Sequence, residues 1–224
     1  MKSLSGNLRI NVLGAKGVGK SAITVRYLTK RFIGEYSSGL DISYQSTFYH
    51  GDTPVKLDIL DVSSQEECQA ACHDLFDADA FVIVYSVTDM SSFQVARGIM
   101  ETLRTRVTSR PSILLLGNKF DLDHVRRVSN DEIRLLKEIY DCFHEEVSAA
   151  ESDQIILDSF HRLIIDALNN FCHNGRSTKR RKSLFENMSR KIGSVFRRKS
   201  FEGGSETKRK LIRISHNGVD RRSV

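Results

Sequence analysis

Hydrophobic and polar positions along the chain follow two periods, one typical of strands and one typical of helices. Residues 8–13 read Leu-Arg-Ile-Asn-Val-Leu, the alternation of a half-buried strand. Residues 55–60 alternate in the same way after a turn signal, and we expect residues 42–49 to be their hairpin partner. Two nearly continuous apolar runs, residues 80–86 and 112–117, suit parallel strands that are buried on both faces.

Between these strands, apolar residues recur at the spacing of one helix face. The clearest stripe lies within residues 91–107, and Ser129 with Glu132 has the spacing of a capping box that opens another helix. The other predicted elements are a helix over residues 22–30, a weaker strand over residues 142–147 and a final helix over about residues 152–171. This alternation predicts a doubly wound α/β fold, with a mostly parallel sheet of six strands and about five helices.

A glycine-rich motif of the form G-x-x-x-x-G-K-[ST] lies between the first predicted strand and the first helix. It consists of Gly14, Ala15, Lys16, Gly17, Val18, Gly19, Lys20 and Ser21. Glycines there let the backbone N–H groups and the helix N-terminus approach a polyphosphate. Lys20 supplies positive charge to the phosphates and Ser21 a hydroxyl for Mg²⁺. A chance glycine-rich turn is the alternative, but the flanking strand and helix favour a P-loop NTPase fold.

Three further polar stretches follow predicted strands, where ligands bind in folds of this type. Asp61 ends the strand over residues 55–60 and suits Mg²⁺, although it would also suit the capping of a loop. Asn118-Lys119-Phe120-Asp121 follows the strand over residues 112–117, and a carboxylate there accepts two N–H donors from guanine but meets no such pair on adenine. Residues 148–150 follow the last strand, where a backbone N–H would reach the base carbonyl.

Charge divides the chain into an acidic body and a basic tail. Residues 1–175 carry 18 Lys and Arg against 24 Asp and Glu, a net −6, whereas residues 176–224 carry 16 against 4, a net +12. The chain shows neither an apolar run of the roughly 18 residues that a membrane span needs nor the start of a signal peptide. We expect a lead over residues 1–6, one domain over residues 7–172, and a cytoplasmic protein that contacts the inner membrane surface transiently.

Residues 173–224 form the tail, which we expect to be largely disordered because it has few apolar residues outside one patch. Over residues 183–199 apolar positions recur at helical spacing among Lys and Arg, as in a basic amphipathic helix for anionic membrane or a calmodulin-like partner. A solvated tail without a partner is the alternative. Unspecific RNA binding has little aromatic support, and we expect no specific nucleic-acid partner. The residues after Cys172 contain no prenylation signal, so membrane contact would be electrostatic and reversible.

The four cysteines, Cys68, Cys72, Cys142 and Cys172, form no paired framework, which is typical of a reducing compartment. Cys68 and Cys72 with His73 offer three zinc ligands, but no fourth lies nearby. Ordinary helix packing is therefore the favoured interpretation of this cluster.

Over residues 6 to about 172 the chain resembles a Ras-family small GTPase, and residues 25–36 are most similar to the branch of Ras-related oestrogen-regulated growth inhibitors and their like proteins. The resemblance implies a monomeric signalling switch that binds GTP and GDP with Mg²⁺, hydrolyses GTP to GDP and phosphate, and contacts effector and regulator proteins that the sequence does not identify. It implies catalytic roles for Gln65 and Lys20, and Ser21 and Asp61 as metal ligands. The implied nucleotide-binding residues outside the glycine-rich motif are Ala22, Phe32, Tyr36, Gly39, Asp61, Ser64, Asn118, Lys119, Asp121, Leu122, Ser148, Ala149 and Ala150.

Three departures from the family pattern bear on hydrolysis. Gly39 replaces the threonine whose hydroxyl binds Mg²⁺, Ser64 replaces a glycine whose N–H meets the γ-phosphate, and Lys16 replaces a glycine beside that phosphate. We therefore expect guanine nucleotide binding with slow hydrolysis. The alternative is a pseudo-GTPase, an interaction module that holds the nucleotide without cycling; adenine-nucleotide chemistry is disfavoured by residues 118–121. Asp41-Ile42 replaces a Glu-Asp pair of the effector loop, which changes the surface offered to effectors.

Overall fold

A sheet of mainly parallel strands runs through the computed structural model, which describes residues 7–34, 41–63, 73–107, 111–151, 153–173 and 210–213. The strands are β1 Asn7–Gly14, β2 Ile42–His50, β3 Thr53–Asp61, β4 Ala80–Ser86, β5 Ser112–Asn118, β6 Phe143–Glu146 and β7 Lys210–Arg213. The α-helices within these ranges are α1 Lys20–Thr29, α2 Met90–Arg106, α3 Asn130–Tyr140 and α4 Gln154–His173, with 3₁₀ helices at His73–Phe76 and Phe120–Val125.

The strand order across the sheet is β6-β5-β4-β1-β3-β2-β7. Only the β2–β3 hairpin is antiparallel among these neighbours, and every other pair is parallel. The predicted six-stranded, mostly parallel sheet is confirmed in β1 to β6. The tail adds a seventh strand, β7, beside β2, where the sequence predicted no strand.

The apolar core lies on both faces of the sheet, and β4 shows why its sequence is almost continuously hydrophobic. Its residues alternate between two buried clusters: Ala80, Val82 and Val84 face α1 and α4, while Phe81, Ile83 and Tyr85 face α2 and α3. On the first face the rings of Tyr27 in α1 and Phe160 in α4 stack with centroids 4.2 Å apart. Because each fully buried apolar side chain contributes about 1.5–3 kcal/mol, this double burial fixes the sheet as a rigid platform.

Local signals set several element boundaries as predicted. Ser129 and Glu132 form the capping box at the start of α3, with both reciprocal hydrogen bonds present. Asp89 caps α2 by accepting a hydrogen bond from the Ser91 N–H at 2.9 Å. Gly51 has φ +59° in the β2–β3 turn. No helix among the described residues is long and apolar enough to cross a membrane.

The predicted helix packing of Cys68 and Cys72 lies outside the described residues, as does the amphipathic helix over residues 183–199. Within the described part of the chain no group of three His, Cys, Asp or Glu side chains is placed to hold a metal ion. Cys142 lies half-buried as a free thiol, and burial raises its pKa to about 11, so it is not a reactive thiolate.

Candidate nucleotide-binding site

The glycine-rich loop between β1 and α1 leaves the sheet at its centre, where β1 lies between β3 and β4. Gly14 has φ +145°, and a Cβ there would lie 2.1 Å from the carbonyl oxygen of Val84 in β4. Gly19 has φ +97°, and a Cβ there would lie 2.2 Å from Nδ2 of Asn118. Both positions therefore require glycine, because the loop passes so close to its neighbours that a side chain does not fit.

Lys20 is held inside this loop by the loop's own carbonyl groups. Its Nζ donates hydrogen bonds to the carbonyl oxygens of Gly14 at 3.0 Å and Ala15 at 2.9 Å, and the residue is only 7% exposed. Burial lowers the pKa of Lys20, while the carboxylates of Asp61 and Asp41 act in the opposite direction. The loop's own carbonyl groups thus fix the position of the ammonium group, which reduces the entropy lost on binding a phosphate.

Ser21 and Asp61 come together although they are 40 residues apart in sequence. The Ser21 hydroxyl donates to Oδ2 of Asp61 at 2.5 Å, and Asp61 is 3% exposed. Burial raises the pKa of Asp61 to about 6, Asp41 adds to this rise, and Ser21 and Lys20 oppose it. A hydroxyl and a buried carboxylate at one point are hard oxygen donors that suit Mg²⁺, and bound cation would favour the ionised form of Asp61.

Asn118 joins the phosphate loop to the loop after β6. Its Nδ2 donates to the carbonyl oxygen of Val18 at 2.8 Å, and its Oδ1 accepts from the N–H of Ala149 at 3.1 Å. Its backbone oxygen also accepts from the N–H of Val87 at 3.0 Å. That Asn118 reads a purine edge stays a prediction; the structure shows in addition a positioning role, because both ends of its amide bind the protein chain.

The segment after Asn118 presents the remaining predicted base-binding residues. Lys119 adopts a left-handed conformation with φ +66°, which starts the 3₁₀ helix Phe120–Val125. Asp121 and Leu122 are exposed, so the carboxylate of Asp121 is accessible to a ligand. In the loop after β6, Ser148 and Ala149 are buried and Ala150 is exposed. The N–H of Phe120 donates to the carbonyl oxygen of Val147 at 3.1 Å, which holds these two segments side by side.

Comparison with known proteins matches the part of the chain that carries the phosphate loop, the Ser21–Asp61 pair and Asn118. The model of the Ras family matches residues 9–169, which is well over half of the chain. The chain belongs to the Ras family. Its curated relatives include the Ras-related and estrogen-regulated growth inhibitor-like protein of Bos taurus, which is 40% identical over 204 residues covering 87% of this chain and 98% of the relative.

Two more relatives are similar to this Ras-family chain over most of its length. The human Ras-related and estrogen-regulated growth inhibitor is 35% identical over 71% of this chain and 80% of its own length. The GTP-binding protein Rit1 of Mus musculus is 36% identical over 72% of this chain and 74% of its own length. The resemblance to the growth-inhibitor branch, predicted from residues 25–36, is therefore confirmed.

Of the residues predicted around the phosphates, several are placed and several are not described. Ala22 is buried in the first turn of α1, and Lys16 and Phe32 are exposed. Tyr36, Gly39, Ser64 and Gln65 lie outside the described residues of this Ras-family chain. The described part of the site therefore comprises the phosphate loop, the predicted magnesium ligands Ser21 and Asp61 (the metal pair), and the two segments predicted to bind the base, residues 118–122 and 148–150.

Asp41 is a site residue whose position the sequence did not predict. It is only 4% exposed, and its Oδ1 accepts a hydrogen bond from the N–H of Ser63 at 2.8 Å. Its charge also acts on Lys20 and Asp61. Asp41 thus links the start of β2 to the segment that follows the metal pair. The signal available in the sequence was an acidic residue directly before a predicted strand, which alone does not distinguish a buried anchor from a surface contact.

Proposed function

We propose that this Ras-family chain binds GTP and GDP with Mg²⁺ and hydrolyses GTP slowly, acting as a signalling switch. The observation that carries the proposal is the bridge made by Asn118 between Val18 of the phosphate loop and Ala149 of the opposite loop. The bridge ties the phosphate-binding loop to the loop that contains Ala149 and to the segment that continues from Asn118 to Asp121. A ligand that fills both ends needs a purine at one end and a phosphate chain at the other.

Each described residue has a role that its geometry supports. The backbone amides of the loop and the N-terminus of α1 would bind the phosphates, and Lys20 would neutralise their charge. Ser21 and Asp61 would hold Mg²⁺, which when bound supplies charge neutralisation at the phosphate oxygens. Asp121 would accept the N–H donors of guanine. Gln65 would orient the attacking water, as the family resemblance implies.

Slow hydrolysis is supported by the surroundings of the phosphate loop. Lys16 is exposed on that loop, and its side chain would extend toward bound phosphates. A lysine at this position would displace the attacking water, which slows hydrolysis by the chain alone. It would also occupy the path of an arginine supplied by an activating partner, which contributes roughly 10³–10⁵ to the rate in this class of enzyme. Gly39 brings no hydroxyl for the metal and Ser64 brings a more restricted backbone than glycine. Hydrolysis depends on positioning, so these changes should slow it together.

Single-turnover GTP hydrolysis by the full chain tests this proposal. We expect Lys16→Gly to hydrolyse GTP at least several-fold faster than the natural chain, because it removes both the charge and the bulk of the side chain. Lys16→Met is the matched control, since it removes the charge and keeps most of the length. If bulk is the cause, Lys16→Met stays slow. A natural chain that hydrolyses GTP as fast as Lys16→Gly would contradict the proposal of slow hydrolysis.

The second candidate is a pseudo-GTPase that holds its nucleotide without cycling and presents one surface to effector proteins. It is favoured by the same three residues, Lys16, Gly39 and Ser64. Analysis of the nucleotide that co-purifies, followed by its release rate with and without Mg²⁺, separates the candidates. GTP that stays bound and unhydrolysed over hours supports the pseudo-GTPase, and GDP that exchanges readily supports the switch.

The basic tail supports a proposal about location. With a net charge of +12 over residues 176–224, the tail would attract an anionic membrane surface by about 1 kcal/mol per basic residue near it. We propose a cytoplasmic protein that contacts the inner membrane surface transiently, or a calmodulin-like partner, through residues 183–199. Sedimentation of the full chain with liposomes tests the membrane contact: binding should need anionic lipid and weaken with salt. Equal binding to neutral liposomes would contradict it.

A further inference from the structure

The outer edge of β2 is covered by a segment that comes from far away in the sequence. β2 pairs with β3 on one side, and on the other side it pairs with β7, Lys210–Arg213. Without β7, β2 would be the edge strand of the sheet and its outward N–H and C=O groups would be unpaired. Such an edge is a template for an additional extended segment from the same or another chain.

The contact between β2 and β7 is short and has a defined register. Ile42 pairs with Lys210, and the pairing continues in parallel to Gln45 and Arg213. For the second half of β2, residues 46–50, the described part of the chain shows no strand partner on that side. A four-residue ladder makes few hydrogen bonds, so its formation should be readily reversible.

The covered half of β2 is the half next to the metal pair. Ile42 pairs with Lys210 on one side and with Asp61 on the other. At about 4.8 Å between neighbouring strands, the backbone of Lys210 lies roughly 10 Å from that of Asp61. Asp41, directly before Ile42, is the buried residue bonded to Ser63. A segment paired with this edge therefore lies against the part of β2 that is tied to the predicted nucleotide site. The two ties are the pairing of Ile42 with Asp61 and the hydrogen bond between Asp41 and Ser63.

The tether favours an occupant from the same chain. Residues 174–209 connect α4 to β7, which is far more than a parallel connection needs. The closure entropy of a connection grows only slowly with its length, so pairing within one chain loses less entropy than binding a separate peptide. A weak strand pairing can be populated under these conditions, whereas a free peptide of the same affinity would be mostly unbound.

We propose that residues 210–213 of this chain are a removable cover for the surface at the edge of β2 over Ile42–Gln45. A partner protein that adds a strand at this edge must first displace β7. The surface goes beyond nucleotide binding, because it is defined by backbone pairing and not by the phosphate loop.

Hydrogen–deuterium exchange on the full chain tests the cover. Successive residues of a strand point their N–H groups to opposite sides, so one of Leu211 and Ile212 donates toward β2. The double variant Leu211→Pro with Ile212→Pro therefore removes that donor, whichever residue supplies it. The matched control, Gly203→Pro with Gly204→Pro, puts the same prolines into the tail outside β7. We expect outward amides within Ile42–Gln45 to exchange at least about tenfold faster in the first variant only, with residues 46–50 unchanged. Unchanged exchange at residues 42–45, or equal acceleration along all of β2, would overturn the proposal.

A peptide added in trans tests the vacant edge directly. A labelled peptide of residues 208–215 should bind the Leu211→Pro, Ile212→Pro variant at least tenfold more tightly than it binds the natural chain, where the tail competes. A peptide of the same composition in scrambled order controls for attraction by its basic residues. Equal affinity for both proteins, or equal binding of the scrambled peptide, would overturn the proposal. Both measurements are made in one nucleotide state, so a failure of GTP hydrolysis leaves their outcome intact.

Discussion

Replacement of Asn118 by alanine should weaken folding and nucleotide binding together. Asn118 is 3% exposed and satisfies two buried backbone groups, the carbonyl of Val18 and the N–H of Ala149. Alanine leaves both without their partner, and each unsatisfied buried group costs about 1–3 kcal/mol. The expected loss in the free energy of unfolding is therefore about 2–6 kcal/mol, a large part of the 5–15 kcal/mol of a typical domain.

The nucleotide effect has a separate origin. Without the bridge, the phosphate loop and the loop containing Ala149 lose their common anchor, and a ligand must order both loops when it binds. An ordering cost of about 1.4 kcal/mol corresponds to a tenfold weaker affinity, so we expect a loss of tenfold or more for GDP in Asn118→Ala. The same change would displace the loop of residues 148–150, from which a backbone N–H is expected to reach the base carbonyl.

Asn11→Ala is the matched control. Asn11 is also buried, at 5% exposure, and its Nδ2 donates to the carbonyl oxygen of Leu75 at 2.7 Å, away from the phosphate loop. It should lower stability by about 1–3 kcal/mol while leaving GDP affinity unchanged. Urea unfolding with EDTA and without nucleotide gives the stability of both variants free of ligand linkage, and titration with a fluorescent GDP analogue gives the affinity.

Two results would refute this reasoning about Asn118. One is a stability loss below about 1 kcal/mol in Asn118→Ala, because two unsatisfied buried groups cannot cost so little. The other is an equal loss of GDP affinity in Asn11→Ala, since the effect would then follow general destabilisation and not the bridge between the loops.

Three further predictions address the metal pair, the loop backbone and pH. Ser21→Ala should weaken Mg²⁺-dependent GDP retention at least about tenfold, measured as faster release over a Mg²⁺ titration, with release in EDTA little changed. Gly14→Ala should cost about 3 kcal/mol or more in urea unfolding, because a Cβ meets the β4 backbone at an unfavourable φ; a loss under 1 kcal/mol would contradict the geometry. Burial lowers the pKa of His144 to about 4, so between pH 7 and 5 this side chain takes up a proton in the unfolded chain but not in the folded chain, and its own contribution to stability falls by about 2 kcal/mol. His144→Gln should lose that part of the pH dependence, and an unchanged slope would contradict the assignment.

Local sequence signals predicted most of the sheet and helices. The capping box of Ser129 and Glu132 and the alternation before and after the turn at Gly51 depend only on neighbouring residues, and the structure confirms both. The strand β7 could not be predicted in this way. Its four residues carry no strand pattern that distinguishes them from the rest of a basic tail, and its pairing depends on an edge 165 or more residues earlier in the chain.

The site was predictable in its composition and less so in the direction of its side chains. Strand ends meet at one edge of a parallel sheet, so the proximity of Ser21 and Asp61 followed from their positions after β1 and β3. Whether Asn118 turns its amide toward a base or toward the chain depends on where Val18 and Ala149 come to lie, which is a tertiary property. The burial of Asp41 depends on the same packing, because its partner is a backbone N–H on another strand's end.

The position of β1 has a consequence for how a ligand leaves. β1 is hydrogen-bonded to parallel strands on both sides, and the phosphate loop is its direct continuation. Amides at the centre of such a strand are expected to open mainly when the whole domain unfolds, so the phosphate loop starts from one of the most stable parts of the sheet. Spontaneous opening of β1 is therefore too rare to set the lifetime of a nucleotide complex. Release of the nucleotide has to begin at the segments beside the phosphate loop. A protein that accelerates release has to act on those segments.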